Sequence, residues 1–366
     1  MRAASGAAAT VADVPAHLSS QREPGKRMNL RGRLETVWDD PSDAPLPPTG
    51  VYPDMDDAVV GVCGANGSVE KAVREAVEAA GGLSEIERGQ RVMIKPNMAG
   101  PVTPTVFPGP ITTNPEVVRA VIRLVKERGA HPMVGDRSMF MTELAMRTTG
   151  FARVCKEEGA EAYPLSRSPH VRVSPGRMHW SRGFRIPAIL HEVDHVINVP
   201  VLKNHENSSQ FTCCLKAMVG ALMPLDRWQE GKDALHQRNI SEKVAEINLA
   251  VRPTINIVDA TTIMVQGGPG DGLLRGDPMN KNAVWASPGV VMAGKDRVAT
   301  DSVALALLKL HGAELKSRSR FMRHGVWDQV QIYYAAQLGL GQADPSRIKI
   351  EDVKVAGFDE IRDNWK

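Results

Sequence analysis

The chain of 366 residues has few aromatic residues (5%), four cysteines, a net charge of only +3 and no apolar run of 18 residues. Each shortage excludes something. Few aromatic rings leave little for stacking nucleic-acid bases. A near-neutral charge removes the long-range attraction that nucleic acid or an anionic membrane surface would need. Without a long apolar run, nothing here reads as a membrane-spanning helix. The cysteines stand at 63, 155, 213 and 214, a spacing that matches neither a structural zinc site nor a ferredoxin-type cluster. Adjacent Cys213 and Cys214 are poorly placed for an ordinary disulfide with each other, so reduced, buried thiols are expected. Together these features suggest a soluble protein, by default cytoplasmic. The opening "MRAASGAAATVADVPA" lacks the continuous apolar core of an export signal; an exported form stays open if the given start is incomplete.

What is present is an alternation. "AVVGVCG" (58–64), "RVMIKPN" (91–97), "HPMVGDRS" (131–138), "HVINVPV" (195–201), "TINIVDA" (254–260) and "GVVMAG" (289–294) read as strands. Between several of them lie helical patterns. "SVEKAVREAVEAAGG" has Ser68 as its cap, and "TNPEVVRAVIRLVKERGA" has Pro115 and Glu116 in its first turn, a proline and an acid where the helix start favours them. Such alternation predicts an α/β fold: a mainly parallel sheet with helices on both faces. "AYPLSRSPHVRVSPGRMHWSRGFRIPAIL" (162–190) breaks the rhythm and reads as an antiparallel insertion. Length favours two lobes, 51–200 (including that arm) and 201–366, behind a disordered or draped tail at 1–50.

In parallel α/β sheets, ligands sit beyond the carboxyl ends of strands. Five such ends carry ionisable groups: Lys95 and Asn97; Asp136, Arg137 and Ser138; Lys203, Asn204 and His205; Asp259; and Lys295, Asp296 and, a turn later, Asp301. Lys95 is placed to hold an anion as a point charge, or to snorkel out at the sheet rim. Arg137 offers a carboxylate or phosphate a two-pronged grip; Asp136 beside it is equally suited to cap a helix. "GGPGDG" (267–272) puts Gly268 and Gly270 where backbone N–H groups can face an anion, or it is a plain turn. His236 can ligate a metal or move protons, or be structural.

The crossing "VPVLKNHENSSQFTCCLKAMVG" (199–220) concentrates the most chemistry. Thr212 or Ser209 is expected to cap a helix starting near Cys213. A cation in that first turn, Lys216, is disfavoured by the helix dipole, which lowers its pKa. The same dipole draws the two thiols toward thiolate, unless they are small core fillers. Lys95, His205 and Lys216 are therefore the candidate catalytic groups, Lys203, Asn204, Asp136, Arg137, Gly268 and Gly270 the candidate binding groups, and His236 the candidate metal ligand.

"VMIKPN", "TTNPEVVRAVIRLVKERGA", "VGDRS", "DHVINVPVLKNH", "LKAMVG", "INIVDA" and "AGKDRVATDSVAL" occur in the order typical of the domain of unknown function 362 family, and the chain resembles that family over roughly residues 58–312. The family has no general activity attached to it. Its members with an appended ferredoxin module resemble iron–sulfur proteins; this chain lacks that module, so no iron–sulfur cluster is expected. A more distant similarity links the layout to the nickel-pincer lactate racemases. It implies a covalently attached nickel-bearing group on Lys216, a proton-transfer role for His205 and nickel ligation by His236. The approach to the lysine departs from that pattern, being "SSQFTCC" instead of glycine-rich. The expectation is an enzyme acting on a small anionic substrate in a cleft between lobes, with metal- or cofactor-assisted proton or electron transfer. The alternatives are a non-catalytic anion or metal binder, and an assembly partner of a redox complex that uses the 162–190 arm. No nucleic-acid partner is expected, and a homo-oligomer stays open.

Overall fold

The computed structural model describes residues 54–65, 67–101, 110–138, 141–173, 179–180, 183–205, 210–228, 234–236, 238–267, 283–313 and 325–353, with 355, 359 and 365. The expected tail at 1–50, Gly268, Gly270 and Ser209 lie outside these residues.

Apolar runs buried on both faces build the sheet. In chain order the strands are β1 (Ala58–Gly64), β2 (Arg91–Pro96), β3 (His131–Val134), β4 (Glu161–Ala162), β5 (His170–Val173), β6 (Phe184–Pro187), β7 (His195–Val199), β8 (Val201–His205), β9 (Gln210–Thr212), β10 (Ile255–Gln266), β11 (Val284–Ala286), β12 (Val290–Gly294) and β13 (Ile348–Val353). Eleven of them form one sheet in the order β13-β1-β12-β10-β7-β2-β3-β4, with β8 and β11 paired to β10 and β9 paired to β8. The pairings of β2 with β3 and β7, of β3 with β4, of β10 with β7 and β8, and of β1 with β13 are parallel. Strand β12 runs against both β1 and β10. The fold is thus α/β with a mainly parallel sheet. The expected antiparallel insertion is the separate β5–β6 ladder.

The helices form as their sequences dictate. Val69–Ala79 begins at Ser68, whose hydroxyl accepts the Lys71 amide at 3.2 Å. Pro115–Glu127 begins at Asn114, whose side chain accepts the Glu116 amide at 2.9 Å. Its Val117, Val118, Val121, Leu124 and Val125 face the core, at the spacing of one apolar stripe. Arg297–Leu310 is capped by Asp296, which accepts the Val298 and Ala299 amides.

Two details position the site. Pro200 separates β7 from β8, and its carbonyl accepts the Asp259 amide at 2.8 Å. Proline offers no ladder N–H, so the chain pairs with the start of β10 before it and with the later part of β10 after it. That shift carries Lys203 and His205 past the carboxyl end of β7. Two aromatic rings of this insertion point inward: Trp180 and Phe184 are buried with ring centroids 5.3 Å apart, and the Trp180 indole donates to the Lys243 carbonyl at 3.2 Å. An interaction surface built on those two rings is therefore ruled out, because they already fill this chain's own core. Among the described residues, no helix is long and apolar enough to cross a membrane.

Candidate functional site

Strand β2 lies between β7 and β3, and from Val92 onward every residue is buried. Lys95 therefore cannot snorkel to solvent. Its ammonium meets Asp136 Oδ1 at 2.8 Å and donates to the Ala217 carbonyl at 2.7 Å. Asp136 follows β3, the parallel neighbour of β2, and its Oδ2 accepts the Met98 amide at 2.8 Å. It serves as this counter-ion and not as a helix cap. Burial holds the Lys95 ammonium below its ordinary value, with Asp136 opposing the shift. The pair needs Gly220: a Cβ there would stand 2.0 Å from Asp136 Oδ1 and 2.7 Å from Lys95 Nζ.

Three more buried cations gather around this pair. Lys203 donates to Asn97 Oδ1 at 2.6 Å and to the Ile111 carbonyl. Burial and then the charge of Lys216 bring its pKa down to about 7, against the pull of Asp136. Lys216 is buried, and its ammonium has no hydrogen bond or ion pair among the described residues. Burial and the charge of Arg227 lower it to about 7 as well. Arg227, on the short helix Pro224–Trp228, donates through NH2 to the Arg137 carbonyl at 3.1 Å, while its Nε is buried without a partner. Burial lowers Arg227 to about 10. Arg137 itself bonds His170 Nε2 through NH1.

His205 and His236 complete the cluster. Burial, then Lys216, Lys203 and His236, push His205 well below the usual imidazole range. Burial, Lys216 and Arg227 push His236 down to about 3. Both rings are therefore held in the neutral form, which can ligate a metal ion but is a weak proton acceptor. Charge linkages thus connect Lys95, Asp136, Lys203, His205, Lys216 and His236, all of them singled out by the sequence. Arg227 and Gly220 are the residues that sequence reasoning passed over.

The turn that carries Lys216 is held from several sides. The helix Cys214–Ala217 has no cap from its own N-cap residue, Cys213. Asp301, from the distant helix Arg297–Leu310, accepts the Cys214 amide at 2.6 Å and the Leu215 amide at 3.1 Å, where Thr212 was expected to act. Asn198 donates to the Cys214 carbonyl and Asn248 to the Leu215 carbonyl, each at 3.0 Å. The thiols are not drawn toward thiolate: burial pushes Cys213 up to about 12 and Cys214 well above its ordinary value. Cys213, Cys214 and Asp301 do lie close enough together to share an ion, but His236 has no place in that group.

Other strand-end residues go elsewhere. Asn204 donates to the Val265 carbonyl at 3.0 Å. Asp259 accepts the Asn114 amide and the Thr261 hydroxyl. Because β12 is antiparallel to β10, Lys295 and Asp296 emerge at the opposite sheet edge, where Lys295 pairs with Glu85 and Asp296 caps a helix.

These features place the chain among α/β proteins with a cationic site at the carboxyl ends of parallel strands. The chain belongs to the family described as Domain of unknown function (DUF362), whose model matches residues 92–306, more than half of its length. It is similar to Thylakoid-associated protein sll1697 of Synechocystis sp., with 28% identity over 301 residues, covering 79% of this chain and 84% of that protein. Among solved structures it is similar to the lactate racemase apoprotein from Thermoanaerobacterium thermosaccharolyticum, with a TM-score of 0.37 and 10% identity over 66% of this chain and 58% of that one. At that level the second likeness carries no argument about function.

Proposed function

We propose that the protein is an enzyme that holds a small anionic molecule beyond the carboxyl ends of β2, β3 and β8 and moves a proton with the Lys216 amine. One observation carries this reading. Lys216 is buried, unpartnered among the described residues and poised at about 7. An ordinary lysine is locked in its charged form at neutral pH. An amine titrating near 7 is available as both acid and base. His205, held neutral and within reach of the Lys216 charge, would pass that proton only by giving one up from one ring nitrogen as the other takes one. Lys95, ion-paired with Asp136, supplies a standing positive charge for the anion, and Lys203, held by Asn97, adds to it when protonated. A plain binder would need the field but not the tuned amine. The groups come from both sides of residue 200, which is where a cleft between the two proposed lobes would lie. The four buried free cysteines suit a reducing compartment such as the cytoplasm.

For the nickel-bearing group implied by the sequence resemblance, the donor set is of a fitting kind. Lys216 offers an unpartnered amine, and His236 an imidazole held neutral. Bound there, such a group would supply an electrophilic metal centre beside the substrate.

The test is native mass spectrometry of protein purified from its own source, followed by denaturation. The reading expects a small anionic species that is retained natively, released on denaturation and lost in Lys216→Met. A mass excess that survives denaturation and maps to Lys216 assigns a covalent group to the same amine. The bare sequence mass under both conditions, with Lys216→Met indistinguishable from wild type, contradicts the proposal.

A further inference from the structure

The four buried cations of the site are not equivalent. Lys95 and Lys203 have their donors engaged: Lys95 by Asp136 and the Ala217 carbonyl, Lys203 by Asn97 and the Ile111 carbonyl. They are 0% and 2% exposed. Lys216 and Arg227 are 5% and 6% exposed, and neither has a carboxylate at ion-pair distance among the described residues. Arg227 spends NH2 on the Arg137 carbonyl, and its Nε is buried with no acceptor. The two lie near enough that the charge of Arg227 acts on Lys216. A buried guanidinium with no ion pair among the described residues, and with a second cation's charge felt nearby, is an arrangement that folding alone disfavours.

We infer that the ligand carries a doubly charged oxyanion and that Arg227 selects it, gripping one side of that anion while the Lys216 amine faces the other. This rests on the proposed function above, because it names the charge class of the molecule held at that site. The argument is one of charge matching. Among the described residues, Asp136 is the carboxylate that stands against Lys95, Lys203, Lys216 and Arg227, and it is already spent on Lys95. A monoanion would satisfy either Lys216 or Arg227 and leave the other cation buried and unpaired. A dianion satisfies both and removes their mutual repulsion. A guanidinium also presents parallel donors to two oxygens of one group, which an ammonium cannot do. The shared chemistry fits a phosphate monoester or a dicarboxylate.

The test is calorimetric titration of the full chain with sulfate, malonate and acetate at matched ionic strength, for wild type, Arg227→Lys and Arg227→Gln, with a thermal melt confirming that each variant is folded. Sulfate or malonate should bind wild type at least about tenfold more tightly than acetate. Arg227→Gln should erase that preference, and Arg227→Lys should keep a reduced part of it. A preference for sulfate marks a tetrahedral, phosphate-like ligand, and a preference for malonate marks a dicarboxylate; either supports the inference. Acetate binding as tightly as the dianions, or Arg227→Gln leaving the preference intact, overturns the inference while anion binding itself stands. Binding of none of the three overturns both the inference and the proposed function.

Discussion

Two clusters of charge in this protein titrate in opposite directions. On the outer face of the helix Pro115–Glu127, every arginine is surrounded by acids. Arg119 meets Glu116 at 2.9 Å, Glu157 at 2.6 Å and Glu158 at 2.8 Å, and Arg123 meets Glu70 at 2.6 Å and Glu158 at 2.7 Å. These arginines are held above their ordinary pKa, and the hydrogen bond from Arg123 helps bring Glu158 down to about 2. At the carboxyl ends of β2, β3 and β8, burial instead lowers Lys95 and brings Lys203 and Lys216 down to about 7. Charges on the outer face lie near solvent, several of them exposed, and each has carboxylate or guanidinium partners. Charges in the inner cluster have lost water and gained too few partners, which is expensive unless a ligand supplies the missing charge. The contrast separates charge that ties the scaffold together from charge that waits for a molecule.

The sharpest way to break this contrast is to remove the counter-ion that the inner cluster does have. Asp136→Ala should strip Lys95, fully buried on β2, of its ion pair and cost about 3–5 kcal/mol, read by chemical denaturation. Gly220→Ala should do similar damage without touching either charge, because its Cβ would intrude to 2.0 Å from Asp136 Oδ1. Loss of less than about 1 kcal/mol in both would mean that the pair does not hold the site together.

The outer network should answer weakly. Glu158→Ala is expected to cost under about 1 kcal/mol at neutral pH, and the difference should shrink in roughly 1 M salt. Glu158 is depressed from 4.5 in the ordinary state to about 2 in the fold. Its contribution is therefore present above pH 4.5 and lost as pH falls through about 2. Melting curves of the two proteins that stay equally far apart at low pH would contradict this.

Most of the site was legible because strand ends announce themselves. Lys95, Asp136, Lys203 and His205 each follow an apolar run, and parallel pairing brings β2 and β3 side by side with their carboxyl ends together. The same logic misplaced Lys295 and Asp296, since no local pattern reveals that β12 runs antiparallel to β10. Arg227 escaped notice because "PLDRW" follows no strand; its role arises when a short helix folds against Arg137, 90 positions away. The cap of the Lys216 turn was missed for a related reason. Thr212 and Ser209 were the local choices, but Asp301, 87 positions from Cys214, takes those amides. The same buried setting reversed the direction expected for the thiols, as loss of water outweighed a helix of four residues.

The central claim concerns the Lys216 amine, and it can be read directly. In protein carrying carbon-13 at the lysine side chains, the Cε signal missing from Lys216→Arg identifies Lys216, and its shift can be followed from acid to alkaline pH. The account predicts a midpoint near 7, about three units below an ordinary lysine. A Lys216 signal that titrates near 10 with the surface lysines would show that the amine is hydrated or paired, and the proposed role would fall with it.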